Sequence, residues 1–315
     1  MARHRASGGI QMSRQITLAV IGLGSMGLGM ARSALKAGHL VRGYDINPGV
    51  LETFRNEGGE VAPTPAAAAA GADIAVVVVV NAAQTQAVLF GEAGIVTAMR
   101  PGSVVVSCAT ISPAEAKSFA ERTEAAGLLY LDGPISGGSK KANSGELTFM
   151  ASGSTEAFEA ARPALDAMAG TVYQLGEQAG IGSSFKIVNQ LLAGVHIAAA
   201  CEAITFAKSL DLDISRVFDV ITKSAGNSWM FENRVPHVLE GDYTPHSAVS
   251  IFTKDLGIVS DIGRAQKFPL PITAAALQLF IMTEAAGMGR DDDSSVARLL
   301  AQIAGLQLPG MPDKV

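Results

Sequence analysis

Lys186, Asn189, Gln190 and His196 fall at i, i+3, i+4 and i+10 within a run over 185–207 (FKIVNQLLAGVHIAAACEAITFA) that is otherwise almost wholly apolar. That spacing predicts one face of a helix. An ammonium and a carboxamide one turn apart can hold a substrate oxygen in a cleft, with the lysine giving or taking the proton. The other reading is that Lys186 sits near a helix start and carries its charge to water on a long stem, as lysines readily do.

A second chemistry-bearing pattern lies near the start of the chain. An apolar run over 16–21 (ITLAVI) meets Gly22-Leu23-Gly24-Ser25-Met26-Gly27, and a helical LGMARSALKAG follows. Strand, glycine turn and helix in that order predict a dinucleotide-binding unit. Gly22 permits the tight turn, Gly24 lets a pyrophosphate approach the backbone, and Gly27 lets the helix pack against the strand. The helix N-terminus then offers amide donors to the phosphates. The next strand, over 40–44, ends in Asp45, whose carboxylate can accept both ribose hydroxyls of an adenosine and would repel a 2′-phosphate. Ile46, Asn47 and Pro48 supply no arginine for such a phosphate, so NAD is expected over NADP.

These groups need a frame, and alternation supplies it. The runs over 74–80 (IAVVVVV) and 104–107 (VVVS) are continuous and apolar, as expected of parallel strands covered on both faces. Ligands lie beyond the carboxyl ends of such strands, which places Val80, Asn81 and Thr110 along the cofactor. Thr110 and Ser112 suit helix capping equally well. A strand over 128–132 leads into Gly133-Pro134-Ile135-Ser136-Gly137-Gly138, where a hydroxyl and open backbone amides suit an anion. Strands over 147–152 and 171–174, with a helix over 155–168 between them, complete this half. After Gly180 the alternation stops, and helices are expected over 182–209, 214–224, 251–266, 272–287 and 293–305. The fold class read from this is α/β: a doubly wound Rossmann domain (15–178) joined by a long interdomain helix to an all-helical domain (179–308). Residues 1–14 read as a disordered extension and 309–315 as a tail. Trp229 and Phe231 fit either substrate contact or helix packing, and Lys254-Asp255 fits either the cleft or a solvated surface.

Composition narrows the function classes. The chain has 315 residues, and 48% of them are hydrophobic, enough for two cores. A net charge of −5 without a basic block argues against a nucleic-acid partner. The 2 cysteines, Cys108 and Cys201, fit no metal-ligand spacing and suit the reducing cytoplasm. Lys186, Asn189, His196 and Glu202 interrupt the greasiest stretch, so no membrane span is expected. Residues 1–14 lack the apolar segment of a signal peptide. Helices this apolar in a small second domain call for cover by another copy, a homodimer or homotetramer.

Taken in order, GLGSMG (22–27), GPISGG (133–138), GSSFKIVNQ (182–190) and FTKDLG (252–257) resemble the β-hydroxyacid dehydrogenase family over nearly the whole chain. Within it, VVNAAQ (79–84), FMASGS (149–154), LLAGVHIAAA (191–200), GNSWMFENR (226–234) and GDYTPHSAV (241–249) are similar to the subgroup that oxidises L-threonate at C2. The resemblance implies a hydroxy-acid substrate with its carboxylate at Ser136, Gly137 and Gly138, and Lys186 as general acid/base. It also implies Asn189 as an orienting group, Thr110 as a cofactor contact and Lys254 closing over the nicotinamide side. Other members reduce tartronate semialdehyde or oxidise 3-hydroxyisobutyrate. A ligand sensor or scaffold on the same fold is the non-enzymatic alternative, and the presence of Lys186 argues against it.

Overall fold

The computed structural model describes residues 15–312. The extension expected over 1–14 and the last three residues of the expected tail lie outside that range. The first half runs β1 (Thr17–Ile21), α1 (Gly27–Lys36), β2 (Leu40–Tyr44), α2 (Pro48–Asn56), β3 (Glu60–Val61) and α3 (Pro65–Ala69). It continues through β4 (Ile74–Val77), α4 (Ala82–Phe90), β5 (Val104–Ser107), α5 (Pro113–Ala125) and β6 (Leu129–Asp132). These six strands form one parallel sheet in the order β3-β2-β1-β4-β5-β6. Every residue of β4 and β5 is buried, because helices cover both faces. On β1 the side chains alternate between two cores. Leu18 and Val20 join Met30 and Phe149 on one face, while Ala19 and Ile21 join Leu89 and Phe119 on the other.

The three later strands build a sheet of their own. β7 (Ile135–Ser136), α6 (Gly138–Ser144), β8 (Leu147–Ala151), α7 (Thr155–Met168) and β9 (Ala169–Gln174) follow in sequence. The three strands order β7-β8-β9, with β7 antiparallel and β9 parallel to β8. An isolated bridge between Asp132 and Ser152 hooks this small sheet to the end of β6.

The second half is helical: α8 (Ile181–Ser209), α9 (Ile214–Ile221), α10 (Trp229–Glu240), α11 (Val249–Ala265), α12 (Pro271–Thr283) and α13 (Val296–Ile303). With 29 residues, α8 is about 43 Å long. Its Ile197, Cys201 and Ile204 share a core with Phe231, Phe252, Leu256 and Phe280. Two helical stretches, Ile181–Ser209 and Pro271–Met288, are long and apolar enough to cross a membrane by length and hydropathy alone. α8 is the central packed helix of this half, and its Ser183, Lys186, Gln190 and Thr205 are buried within the protein.

α10 is the helix that the sequence pattern hides. Pro236 lies inside it and breaks the helical signal. Tertiary contacts hold it in place. Ser228 caps its first turn at Phe231 N, the Arg234 guanidinium pairs with buried Asp293 at 2.5 Å, and His237 Nδ1 lies 2.9 Å from Asp292. Gly194 sets the approach of α11, since a Cβ there would stand 2.8 Å from Leu256 Cδ2. That close crossing brings Asp255 to α8.

Candidate active site

At the carboxyl edge of the parallel sheet the glycine loop behaves as its spacing predicts. Gly22 has φ +94°, and a Cβ there would lie 2.3 Å from Val78 O. A Cβ on Gly27 would lie 1.9 Å from Gly22 O, whereas a Cβ on Gly24 would meet nothing within 4 Å. Gly27 therefore serves packing and Gly24 leaves open space. Met26 and Ser25 lead into α1, and no side chain caps it, so its first amides remain available to phosphate oxygens.

Asp45 closes this loop from β2. One carboxylate oxygen accepts from Leu23 N at 2.6 Å and the other from Asn47 N at 2.8 Å. Each oxygen keeps a free lone pair for a ribose hydroxyl. Asn47, rather than Asp45, caps α2. Beyond β4, Val80 is exposed and Asn81 caps α4 by accepting from Gln84 N at 2.9 Å. Ser112, not Thr110, caps α5, in a reciprocal box with Glu115. The sheet order turns back between β1 and β4, the place where such folds bind nucleotides. The residues present fit a dinucleotide.

Lys186 is buried in the second turn of α8, and its ammonium donates to Ile135 O at 2.7 Å. It therefore points at the segment that begins the Ser136 loop, not at water. Desolvation pushes its pKa down to about 8; Asp255 opposes that shift and Lys254 adds to it. A cation fastened to a carbonyl yet close to losing its proton is suited to proton transfer near neutrality.

Lys254 reaches from α11 across to the sheet half, donating to Thr110 O at 3.1 Å and pairing with Asp255 at 2.5 Å. Asp255 in turn accepts from Gln190 Nε2 at 2.5 Å. Thr110, Lys254, Asp255 and Gln190 thus form one polar chain through an apolar junction, and Lys186, held by Ile135 O, feels the charges of Asp255 and Lys254. Asn189 stands beside it, its amide donating to Gln190 Oε1 at 2.9 Å. Ser136 and Gly137 are half-buried at the mouth, and a Cβ on Gly138 would meet nothing within 4 Å. Trp229 and Phe231 separate: Trp229 is 56% exposed, while Phe231 stacks on Phe218 at 6.0 Å. Of the two alternatives left open by the sequence, Phe231 shows the packing one, buried in the helical core.

Asp132 was not singled out by the sequence pattern. Its buried carboxylate at the end of β6 accepts from Gly180 N at 2.8 Å, Ser183 N at 2.9 Å and Ser183 Oγ at 2.7 Å. Ser152 Oγ accepts from Gly182 N at 2.9 Å. No side chain within α8 caps it, so a distant strand does. Burial raises the Asp132 pKa, and the Ser183 and Gly180 hydrogen bonds pull it back. This carboxylate fixes the start of α8, one turn ahead of Lys186.

Comparison with known proteins agrees with this geometry. Residues 17–176 match the NAD binding domain of 6-phosphogluconate dehydrogenase, and residues 180–300 match the NAD-binding family of NADP-dependent 3-hydroxyisobutyrate dehydrogenase. The chain belongs to the β-hydroxyacid dehydrogenase family. An L-threonate dehydrogenase of Cupriavidus necator is 52% identical over 95% of this chain and 99% of its own length. The mitochondrial 3-hydroxyisobutyrate dehydrogenase of Mus musculus is 31% identical, covering 92% of this chain and 89% of its own. A crystal structure of a 3-hydroxyisobutyrate dehydrogenase from Salmonella typhimurium superposes with a TM-score of 0.86 at 48% identity, over 90% of this chain and all of that one. As a member of this family the chain is an oxidoreductase acting on hydroxyl donors, and NAD is its cofactor.

Proposed function

We propose that this enzyme oxidises L-threonate at C2 to the 2-oxo acid. The observation that carries the chemistry is the buried Lys186 ammonium, aimed at the Ser136 loop with its pKa pushed down to about 8. NAD, when bound, accepts the hydride from C2. Ser136 and the amides around Gly137 and Gly138 hold the substrate carboxylate, and Lys186 Nζ takes the hydroxyl proton. Asn189 orients the hydroxyl-bearing carbons, Trp229 covers the substrate from the helical half, and Lys254 closes the junction at Thr110. Gly22, Leu23, Gly24, Ser25, Met26 and Gly27 cradle the pyrophosphate, with Asp45, Val80 and Asn81 along the cofactor.

Near full-length similarity to several L-threonate dehydrogenases supports this acid over 3-hydroxyisobutyrate and tartronate semialdehyde. We infer a division into a cofactor domain over 15–178 and a substrate domain over 179–308. The exposed apolar side of α8 supports a homodimer or homotetramer. Two free buried thiols suit the cytoplasm.

The decisive measurement is steady-state turnover of Lys186→Ala with L-threonate at saturation. The expected loss is about 10²- to 10⁴-fold in kcat, with NADH binding by fluorescence unchanged. Turnover within tenfold of the parent would remove Lys186 from the mechanism. Equal kcat/KM on L-threonate and 3-hydroxyisobutyrate would remove the substrate assignment alone.

A further inference from the structure

The groove of about 550 Å³ beside the glycine loop is lined by Asp45 and Ile46 just after β2, by Leu51 and Arg55 from α2, by Val61 at the end of β3 and by Pro63 beyond it. Leu51 and Arg55 are one helical turn apart on α2, so both project to the same side. The helix is seated firmly. Phe54 is fully buried, and its ring fills the space that a Cβ on Gly43 or Gly59 would need, at 2.6 and 2.1 Å. Arg55 itself is exposed, and among the described residues no carboxylate or hydrogen-bond acceptor engages its guanidinium. Every other arginine that borders the parallel sheet on this side is engaged: Arg32 with Glu57 and Arg42 with Glu60.

The groove has two unlike ends. Asp45 supplies a carboxylate suited to ribose hydroxyls, while Leu51, Val61 and Pro63 supply an apolar wall suited to one face of a flat heterocycle. Its other face would meet water unless a side chain covers it. A guanidinium is planar, weakly hydrated and stacks on aromatic faces. We propose that Arg55 is a specificity-determining residue of the adenosine subsite, laying its guanidinium plane over the adenine while Asp45 holds the ribose. Arg55 then anchors the end of NAD remote from the chemistry. Sequence proximity to Asp45 could not show this, since α2 has to wind round before residue 55 faces the groove.

The proposal rests on the dinucleotide assignment and not on the identity of the acid, so it is tested by binding rather than turnover. Calorimetry with 5′-AMP, 2′,5′-ADP and nicotinamide mononucleotide, and fluorescence titration with NADH, are run on the parent, Arg55→Ala and Arg55→Lys. Arg55→Ala is expected to weaken 5′-AMP and NADH alike by about three- to fivefold and to leave nicotinamide mononucleotide unchanged. Arg55→Lys, keeping the charge without the plane, is expected not to restore it. An unchanged 5′-AMP affinity overturns the proposal. So does a loss confined to 2′,5′-ADP, which would make Arg55 a phosphate ligand and weaken the preference for NAD. Because Arg55 is exposed, both variants are expected to fold, and their melting curves check that directly.

Discussion

Lys186 is not tuned by burial alone. Desolvation lowers its proton affinity, Asp255 restores part of it, and Lys254 lowers it again. Oxidation needs the neutral amine, so kcat/KM for the hydroxy acid is expected to rise with pH through about 8 and then level off. Reduction of the oxo acid needs the ammonium, and its profile is expected to fall through the same range. Replacing Asp255 by Asn removes the group that favours the charged form. The oxidative limb should therefore move to lower pH, by about one unit. Lys254→Met removes a repelling charge and should move it the other way. Parallel pH profiles of the three enzymes check this, and a limb that stays fixed in both variants would mean that some other group titrates. Both neighbours also carry contacts, since Asp255 binds Gln190 and Lys254 binds Thr110, so KM is expected to rise in each variant as well.

α8 can place a lysine at the junction only if its own start is fixed, and the groups that fix it come from elsewhere in the chain. Asp132 accepts from Gly180 and Ser183, which lie 48 and 51 residues away. Asp132→Asn keeps the volume but loses acceptor capacity beneath buried amides, and should cost about 3 kcal/mol of stability, read from urea unfolding. A loss under about 0.5 kcal/mol, the range of ordinary surface changes, would show that the cap is dispensable. This cap also explains what was legible in the sequence. The glycine loop, Asp45 and Lys186 could be read because each is defined by near neighbours: a strand before, a helix after, or an apolar helix around a charge. The alternating βα half and the long helix followed from periodicity. Asp132 could not be read, since a lone aspartate ending a strand carries no local mark of the three donors that Gly180 and Ser183 bring to it. α10 was hidden by Pro236, although its Arg234 meets Asp293 in the buried interior. Phe231 fitted either a cleft or helix packing by sequence, and its place on α10 turns it into the core.

At the scale of the whole molecule, the described residues leave one side of α8 uncovered. Phe185, Val188, Leu192, Ala199, Ala203 and Phe206 recur at helical spacing along it, and all are exposed; Val188 and Phe206 are 60% and 64% open. Lys186 and Gln190 of the same helix are buried and turn the other way, toward the junction, while Glu202 lies on the exposed side beside Ala199, Ala203 and Phe206, so the stripe is separate from the chemistry by orientation and adjacent to it by sequence. Burying such a stripe against water-free surface is worth about 25 cal/mol per Å², and a twofold contact pairs a helix face with itself. A second copy across α8 would also press Phe185 and Val188, the flanking neighbours of Lys186 and Asn189, and so stiffen the turn that holds the proton-transfer group. Val188→Glu combined with Leu192→Glu places like charges on both sides of that contact. Light scattering should show the parent as a dimer or larger and the double variant as a monomer, with kcat reduced in the monomer while NADH still binds. A parent that is monomeric at micromolar concentration would refute the pairing, and a monomeric variant with full kcat would show that the contact gives cover to α8 without shaping the site.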